Sequence, residues 1–173
     1  LPSSKEFRLA YIDESTSNYC KQQSEIFLCL HGVPTYSYLY RKIIPVLLAS
    51  NKHHNRGVRV ICPDFLGWGR SDKPTNASVH TVKFHRQSIV ELLQYLQLDS
   101  SQVRLTLICQ DWGGLIGLTL PMAFMHYSVD DKASKIVTSN HNPIKRIMYF
   151  NTTIPLGQMA SSAFLTWRRA SRN

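Results

Sequence analysis

The residues best placed to do chemistry lie in one stretch, "LICQDWGGLIGL", residues 107–118. Leu107, Ile108 and Cys109 read as the end of a buried strand, and Leu115 to Leu118 as the start of a helix. Between them stands Asp111, flanked by Gln110 and Trp112 and followed by Gly113 and Gly114. A charge taken out of water without compensation is expensive, so an acid at this point needs a reason. One reason is structural: Asp is a favoured N-cap, worth about 1 kcal/mol to the helix that follows. The other is chemical. A sharp strand-to-helix turn between small residues is a nucleophile elbow, which lifts one side chain above the sheet. The usual pattern is Gly-x-nucleophile-x-Gly; here Cys109 replaces the first Gly and Asp111 replaces the usual Ser. A carboxylate can attack carbon without an assisting base and form a covalent ester. Backbone N–H groups and the dipole of the following helix would stabilise its charge. Taken alone, the stretch is compatible with either reading.

Two further stretches favour chemistry. "HGVPT", residues 31–35, follows another apolar run, where a fold of this kind places an oxyanion-hole N–H. The amide of Val33 would supply it, opposite the amide of Trp112. "PDFLGWGRSDKP", residues 63–74, adds a Gly-rich loop in which Asp64 is expected to anchor the backbone rather than to react.

The elements that must position these residues alternate along the chain. "FRLAYID" (7–13) reads as an early strand from its alternation. "EIFLCL" (25–30), "VRVICPDF" (58–65) and "RLTLIC" (104–109) are continuous apolar runs, as expected of strands buried on both faces. "YSYLYRKIIPVLLAS" (36–50) has helical spacing, with Pro45 predicting a kink or break. Within 81–98, apolar residues at 89, 92, 93 and 96 make the stripe of an amphipathic helix. A third helix is expected from Gly113 to about Met125, and "IKRIMYFN" (144–151) as a fourth buried strand. The polar, aperiodic segment 126–143 reads as a surface loop. Such an order predicts an α/β fold with a mostly parallel sheet flanked by helices. In open parallel sheets function collects at the carboxyl ends of the strands, where Asp111 sits.

Composition bounds the alternatives. With 173 residues, 43% of them hydrophobic, the chain is sized for one globular domain. No apolar run approaches the roughly 18 residues that span a bilayer, so no membrane partner is expected. The net charge of +9 could hint at nucleic acid, but its distribution argues otherwise. Seven Lys and Arg and no Asp or Glu lie between Lys132 and Asn173, ending in "WRRASRN", with no basic helix interleaved with aromatics. Nucleic-acid binding is therefore not expected. Cys20, Cys29, Cys62 and Cys109 show no C-x-x-C spacing and read as small residues in a reducing compartment, which predicts a cytoplasmic protein. No metal or other cofactor is expected.

The order and content of "FLCLHGVPTYSYLYRKIIPVL", "VICPDFLGWGRSDKP", "FHRQSIVELLQYLQL" and "QDWGGLIGLTLPM" resemble the haloalkane dehalogenases of the α/β-hydrolase superfamily. The resemblance runs from about Phe7 to Met122 and then weakly through "IKRIMYFN". It implies that Asp111 attacks the carbon bearing the halogen, that Trp112 donates its indole N–H to the departing halide ion, and that the substrate is a small haloalkane or a related apolar molecule. Members with Asn after the first His-Gly use its side chain as a second halide donor. Val33 cannot do so, and the second donor would then come from the cap domain. His31 is expected to support the turn after its strand.

The resemblance also implies a His general base and a supporting acid late in the chain, because hydrolysis of the ester needs an activated water. Downstream of Asp111 the sequence offers only His126 and His141, and only Asp130 and Asp131. None stands where the family carries its base or acid. His80 and His85 flank the amphipathic helix and read as surface or packing residues. Residues 1–173 are thus expected to form one partial core domain, the nucleophile half, with the cap and C-terminal strands missing. Such a chain is either a fragment of a longer enzyme or the product of a truncated gene model. An epoxide hydrolase, which also pairs an elbow Asp with Trp, and a catalytically dead remnant of the fold are the alternatives. Gln110 and "HGVPTYSYLYRK" favour the dehalogenase.

Overall fold

The computed structural model describes residues 6–21, 24–50, 56–130, 135–140 and 142–152. Its centre is a five-stranded sheet of β1 (Tyr11–Ser15), β2 (Glu25–Leu30), β3 (Val58–Pro63), β4 (Leu105–Gln110) and β7 (Ile144–Phe150). The spatial order is β1-β3-β2-β4-β7. β1 runs antiparallel to β3, and the other three pairings are parallel.

The continuous apolar runs are buried on both faces, as the sequence predicts. Ile26, Leu28 and Leu30 of β2 face a cluster with Leu105 and Leu107 of β4 and with Ile89 and Leu93. Cys29 faces the other side, with Val58, Val60, Cys62, Tyr40 and Ile44. Each face is covered by a helix: α2 (Val82–Tyr95) packs on the first cluster and α1 (Ile43–Ala49) on the second. Thr81 starts α2 as an N-cap, its hydroxyl accepting the Phe84 N–H at 3.1 Å.

Three boundaries differ from the sequence expectation, each for a local reason. The first strand begins at Tyr11 rather than Phe7. Arg8 and Ala10 instead hydrogen-bond the loop after β3: Asp64 N–H donates to Ala10 O at 2.8 Å, and Ala10 N–H to Ser71 Oγ at 2.8 Å. Pro45 breaks nothing, because it sits in the first turn of α1, where an N–H would have no intrahelical partner. The expected break falls before it, between a 3-10 turn (Ser37–Tyr40) and α1. The expected helix from Gly113 to Met125 is two pieces, α3 (Trp112–Gly117) and α4 (Leu120–Ala123). Pro121 lacks the N–H that would bond Gly117, so the helix is interrupted between them.

The larger correction concerns residues 126–143. Instead of a loop, β5 (Met125–Asp130) and β6 (Lys135–Asn140) form an antiparallel two-stranded sheet, with Met125 opposite Asn140 and Asp130 opposite Lys135. Pairing satisfies the backbone of each strand through the other, a non-local gain that polarity read along one segment does not reveal. Asp131, His141 and the basic tail from Arg168 lie outside the described residues.

Candidate active site

Asp111 stands between β4 and α3, at the carboxyl end of the central strand pair. Its backbone has φ +52° and ψ −122°, a conformation that a non-glycine residue adopts only when its surroundings enforce it. The enforcing bonds are visible. Gly114 N–H donates to the Asp111 carbonyl at 2.9 Å, Thr152 Oγ donates to the same oxygen at 2.7 Å, and Asp111 N–H donates to Phe150 O at 3.3 Å. The turn is tight because Gly113 presses on β2; a Cβ there would meet Leu30 O at 2.1 Å.

The side chain does not cap α3. Asp111 Oδ2 instead accepts the backbone N–H of Val33 at 2.9 Å. The charge is therefore met by an amide from the neighbouring strand's loop, while the first N–H groups of α3 close on the Asp111 carbonyl. Among the described residues Oδ1 accepts no hydrogen bond. The N-cap alternative fails on this geometry. Contact between the two loops requires a glycine at Gly32, where a Cβ would lie 2.4 Å from Asp111 Cβ and 2.5 Å from Oδ2.

Trp112 is half exposed, at 48%, and is not a core aromatic. With Val33 it lines a cavity of about 260 Å³ whose other walls include Phe65, Trp68, Ile116 and the rings of His80 and His85. A larger groove of about 780 Å³ runs between Phe7, Tyr11 and α2, and none of the elbow residues lines it.

Two buried polar residues hold the loops that frame the site. His31 is fully buried; Nδ1 lies 2.8 Å from Gly32 O, and Nε2 accepts the Phe65 N–H at 2.9 Å. A carbonyl only accepts, so Nδ1 carries the proton. Burial lowers its basicity, opposed by the Gly32 carbonyl and the Asp64 charge. Both nitrogens are used, so His31 braces the turn. Asp64, also fully buried, accepts the Ser37 N–H at 2.8 Å and the Arg70 N–H at 2.9 Å, with the Arg70 guanidinium 3.5 Å away. Burial pushes its carboxyl up, but the Arg70 amide, the Ser37 hydrogen bonds and the Arg70 charge outweigh it and hold it below the usual range. Asp64 is a loop anchor.

Sequence reasoning missed Thr152 and undervalued His80 and His85. Thr152 follows β7 and reaches Asp111 only because β7 pairs beside β4. His85 is a packing residue as expected, yet its ring is also part of the cavity wall. An F-H-R triplet carries no signal of that.

Residues 25–172 match a family described as alpha/beta hydrolase fold. The haloalkane dehalogenase of Psychrobacter cryohalolentis is 35% identical over 168 residues, covering 96% of this chain and 45% of its own length. That of Mycobacterium marinum is 33% identical over 166 residues, covering 95% and 46%. Among solved structures, a tetrameric haloalkane dehalogenase from Paraglaciecola agarilytica superposes with a TM-score of 0.73 at 38% identity, covering 99% of this chain and 48% of that one. The chain spans about half the length of the relatives it matches.

Proposed function

The chain belongs to the alpha/beta hydrolase fold family, and from that premise we propose that Asp111 is a nucleophile that displaces halide from a haloalkane. The observation that carries this is the asymmetry of its carboxylate: Oδ2 is held by the Val33 amide and Oδ1 is left without a partner among the described residues. Dehalogenase relatives at 33% and 35% identity support it.

In the first step an Oδ1 lone pair attacks the carbon that bears the halogen. The carbon–halogen bond breaks and its electron pair leaves with the halide. The Trp112 indole N–H, on the wall of the adjoining cavity, stabilises that charge. This step needs no proton transfer. In the second step water adds to the ester carbonyl carbon, and negative charge develops on the carbonyl oxygen. Oδ2 is in place to be that oxygen, with the Val33 amide already bonded to it and the Trp112 amide as the expected second donor. The ester then collapses and releases the alcohol.

The second step requires a base. Among the described residues no imidazole hydrogen-bonds the Asp111 carboxylate; His31 is engaged at both nitrogens. This reading therefore assigns to the described residues the alkylation half of the reaction. Cys29, Cys62 and Cys109, all buried, fit a cytoplasmic setting for it.

The test separates the two steps. A reactive bromoalkane should release at most one halide per chain and leave an alkyl ester on Asp111, readable by peptide mass spectrometry. Asp111→Asn should abolish the label. Sustained turnover by this chain, or a label that survives Asp111→Asn, would overturn the assignment.

A further inference from the structure

Glu25, Arg56, Arg104 and Arg146 are far apart in the chain and are gathered by strand register. Glu25 opens β2 and lies opposite Val58 of β3, just past Arg56. Ile26 pairs with Leu105 of β4, which brings Arg104 alongside, and Thr106 pairs with Arg146 of β7. The four side chains thus meet near the amino ends of the parallel strands, with the whole of β4 between Arg104 and Asp111. Arg146 is anchored twice. Its Nε donates to Oγ1 of the buried Thr106 at 3.0 Å, and its Nη2 donates to Glu25 Oε2. The plane of this guanidinium is therefore set, and its Nη1 makes no hydrogen bond among the described residues. Arg104 Nε lies 3.5 Å from Glu25 Oε1, and Arg56 Nη1 lies 3.8 Å from the same oxygen. The Arg104 fork, too, makes no hydrogen bond among the described residues.

These four residues line a cavity of about 450 Å³ whose apolar walls are Phe27 and Val58. Small-molecule sites span roughly 300–1,000 Å³. Glu25 is the one acid among the walls. A single carboxylate does not offset three guanidinium ions, and like charges held together repel. Stability does not account for the arrangement, because ion pairs whose arginines are about half exposed contribute little. An anion that enters the cavity does account for it. It removes the excess positive charge, and arginine forks match the paired oxygens of a phosphoryl group. A phosphate monoester carries about −1.5 to −2 at pH 7, which meets an excess of this size.

We propose that this cavity is a second ligand site, which takes a phosphate monoester with an apolar body. The phosphoryl oxygens accept from the Arg104 fork and from Arg146 Nη1, and the body packs against Phe27. Because Thr106 and Glu25 already orient Arg146, little of its freedom remains to be lost on binding. The site is independent of the chemistry at Asp111. None of its residues lines the Trp112 cavity, so its test and the test of halide displacement fail separately.

The experiment titrates phenyl phosphate into the chain at about 0.15 M salt, where exposed charges beyond about 8 Å are screened. Calorimetry gives affinity and stoichiometry, and phosphorus NMR follows the ligand. Saturable binding of a single ligand per chain is expected. Inorganic phosphate should bind at least about fivefold more weakly, because it lacks the ring that packs against Phe27. Arg104→Ala and Arg146→Ala should each weaken phenyl phosphate at least about tenfold, the scale of a hydrogen bond to a charged group. Arg41→Ala, which removes an exposed arginine that does not line the cavity, should leave it unchanged. No saturable binding, or equal affinity for inorganic phosphate, would overturn the site. So would a loss in Arg41→Ala as large as in Arg104→Ala, which would mean that the net charge of +9 attracts the anion without a preferred place. If Arg146→Ala fails to fold, Arg104→Ala, which breaks no hydrogen bond of its side chain among the described residues, decides alone.

Discussion

The Val33 backbone nitrogen lies 2.9 Å from Asp111 Oδ2 and ties together two loops 78 residues apart. It is a main-chain contact, so the identity of the Val33 side chain, 43% exposed, does not make it. What makes it is the close approach permitted at Gly32, whose missing Cβ would overlap Asp111 Cβ at 2.4 Å.

Val33→Ala should therefore leave the rate of Asp111 alkylation within about twofold of the parent, since surface substitutions rarely exceed about 0.5 kcal/mol. Gly32→Ala should slow it at least about tenfold by displacing the carboxylate, misplacement near 1 Å being sufficient for such a loss. Timed labelling with a bromoalkane, followed by mass spectrometry, reads both. A normal rate in Gly32→Ala would show that the carboxylate does not need its present position.

Asp64 should give the fold an acid-sensitive component. Its folded pKa lies below the unfolded value, so the ionised form stabilises the fold above about pH 4 and that contribution is lost as pH falls through the folded value. Asp64→Asn should flatten this acid limb and lower stability at neutral pH by about 1–3 kcal/mol, because a neutral amide meets the Arg70 and Ser37 donors less well. Denaturant midpoints measured from pH 3 to 7 (about that range covers both forms) check it. An unchanged acid limb would mean that another carboxylate governs it.

His85 acts in a separate window. Its folded pKa, about 4, lies below the ordinary 6.5 because burial, and then the His80 and His31 charges, oppose protonation. The unfolded chain takes up the proton first. Stability is full above the unfolded value and declines as pH falls toward about 4, by roughly 3 kcal/mol in all. His85→Gln should remove that slope while leaving the lower Asp64 limb in place. A slope unaffected by the substitution would assign it to a different group.

β7 is the outermost described strand on its side of the sheet, and Met148, Tyr149 and Phe150 are 48%, 64% and 52% exposed. An unpaired edge bearing large apolar side chains is a template for association. The chain should self-associate in sedimentation velocity as its concentration rises, and Tyr149→Lys should weaken this. A monomer at every concentration, with a cooperative melt, would show that the edge is protected.

The local code in this sequence is strong where burial is two-sided. "EIFLCL" is β2 residue for residue, because the apolar run after Glu25 has nowhere to lie but between two packed layers. Thr81 before an apolar stripe marks the start of α2 for a similar reason: the cap bonds within its own turn. Asp111 between a strand and glycines was legible as an elbow, and the sequence order alone put it at the carboxyl end of the sheet.

Only the tertiary structure decided that this acid does not cap α3. Nothing near Asp111 in the chain says whether its side chain turns back to cap α3 or outward, and the answer comes from the Val33 amide that holds Oδ2, while the Thr152 hydroxyl fixes the main-chain carbonyl. The same is true of 126–143, where strand pairing supplies what the segment's own polarity does not. His80 and His85, too, become a directed relay only once the loop at Pro74 presents a carbonyl to one end. Propensity and periodicity act over one turn or one strand. Hydrogen bonds between residues 41 or 78 positions apart are set by how the whole sheet closes, and no window of sequence contains both partners.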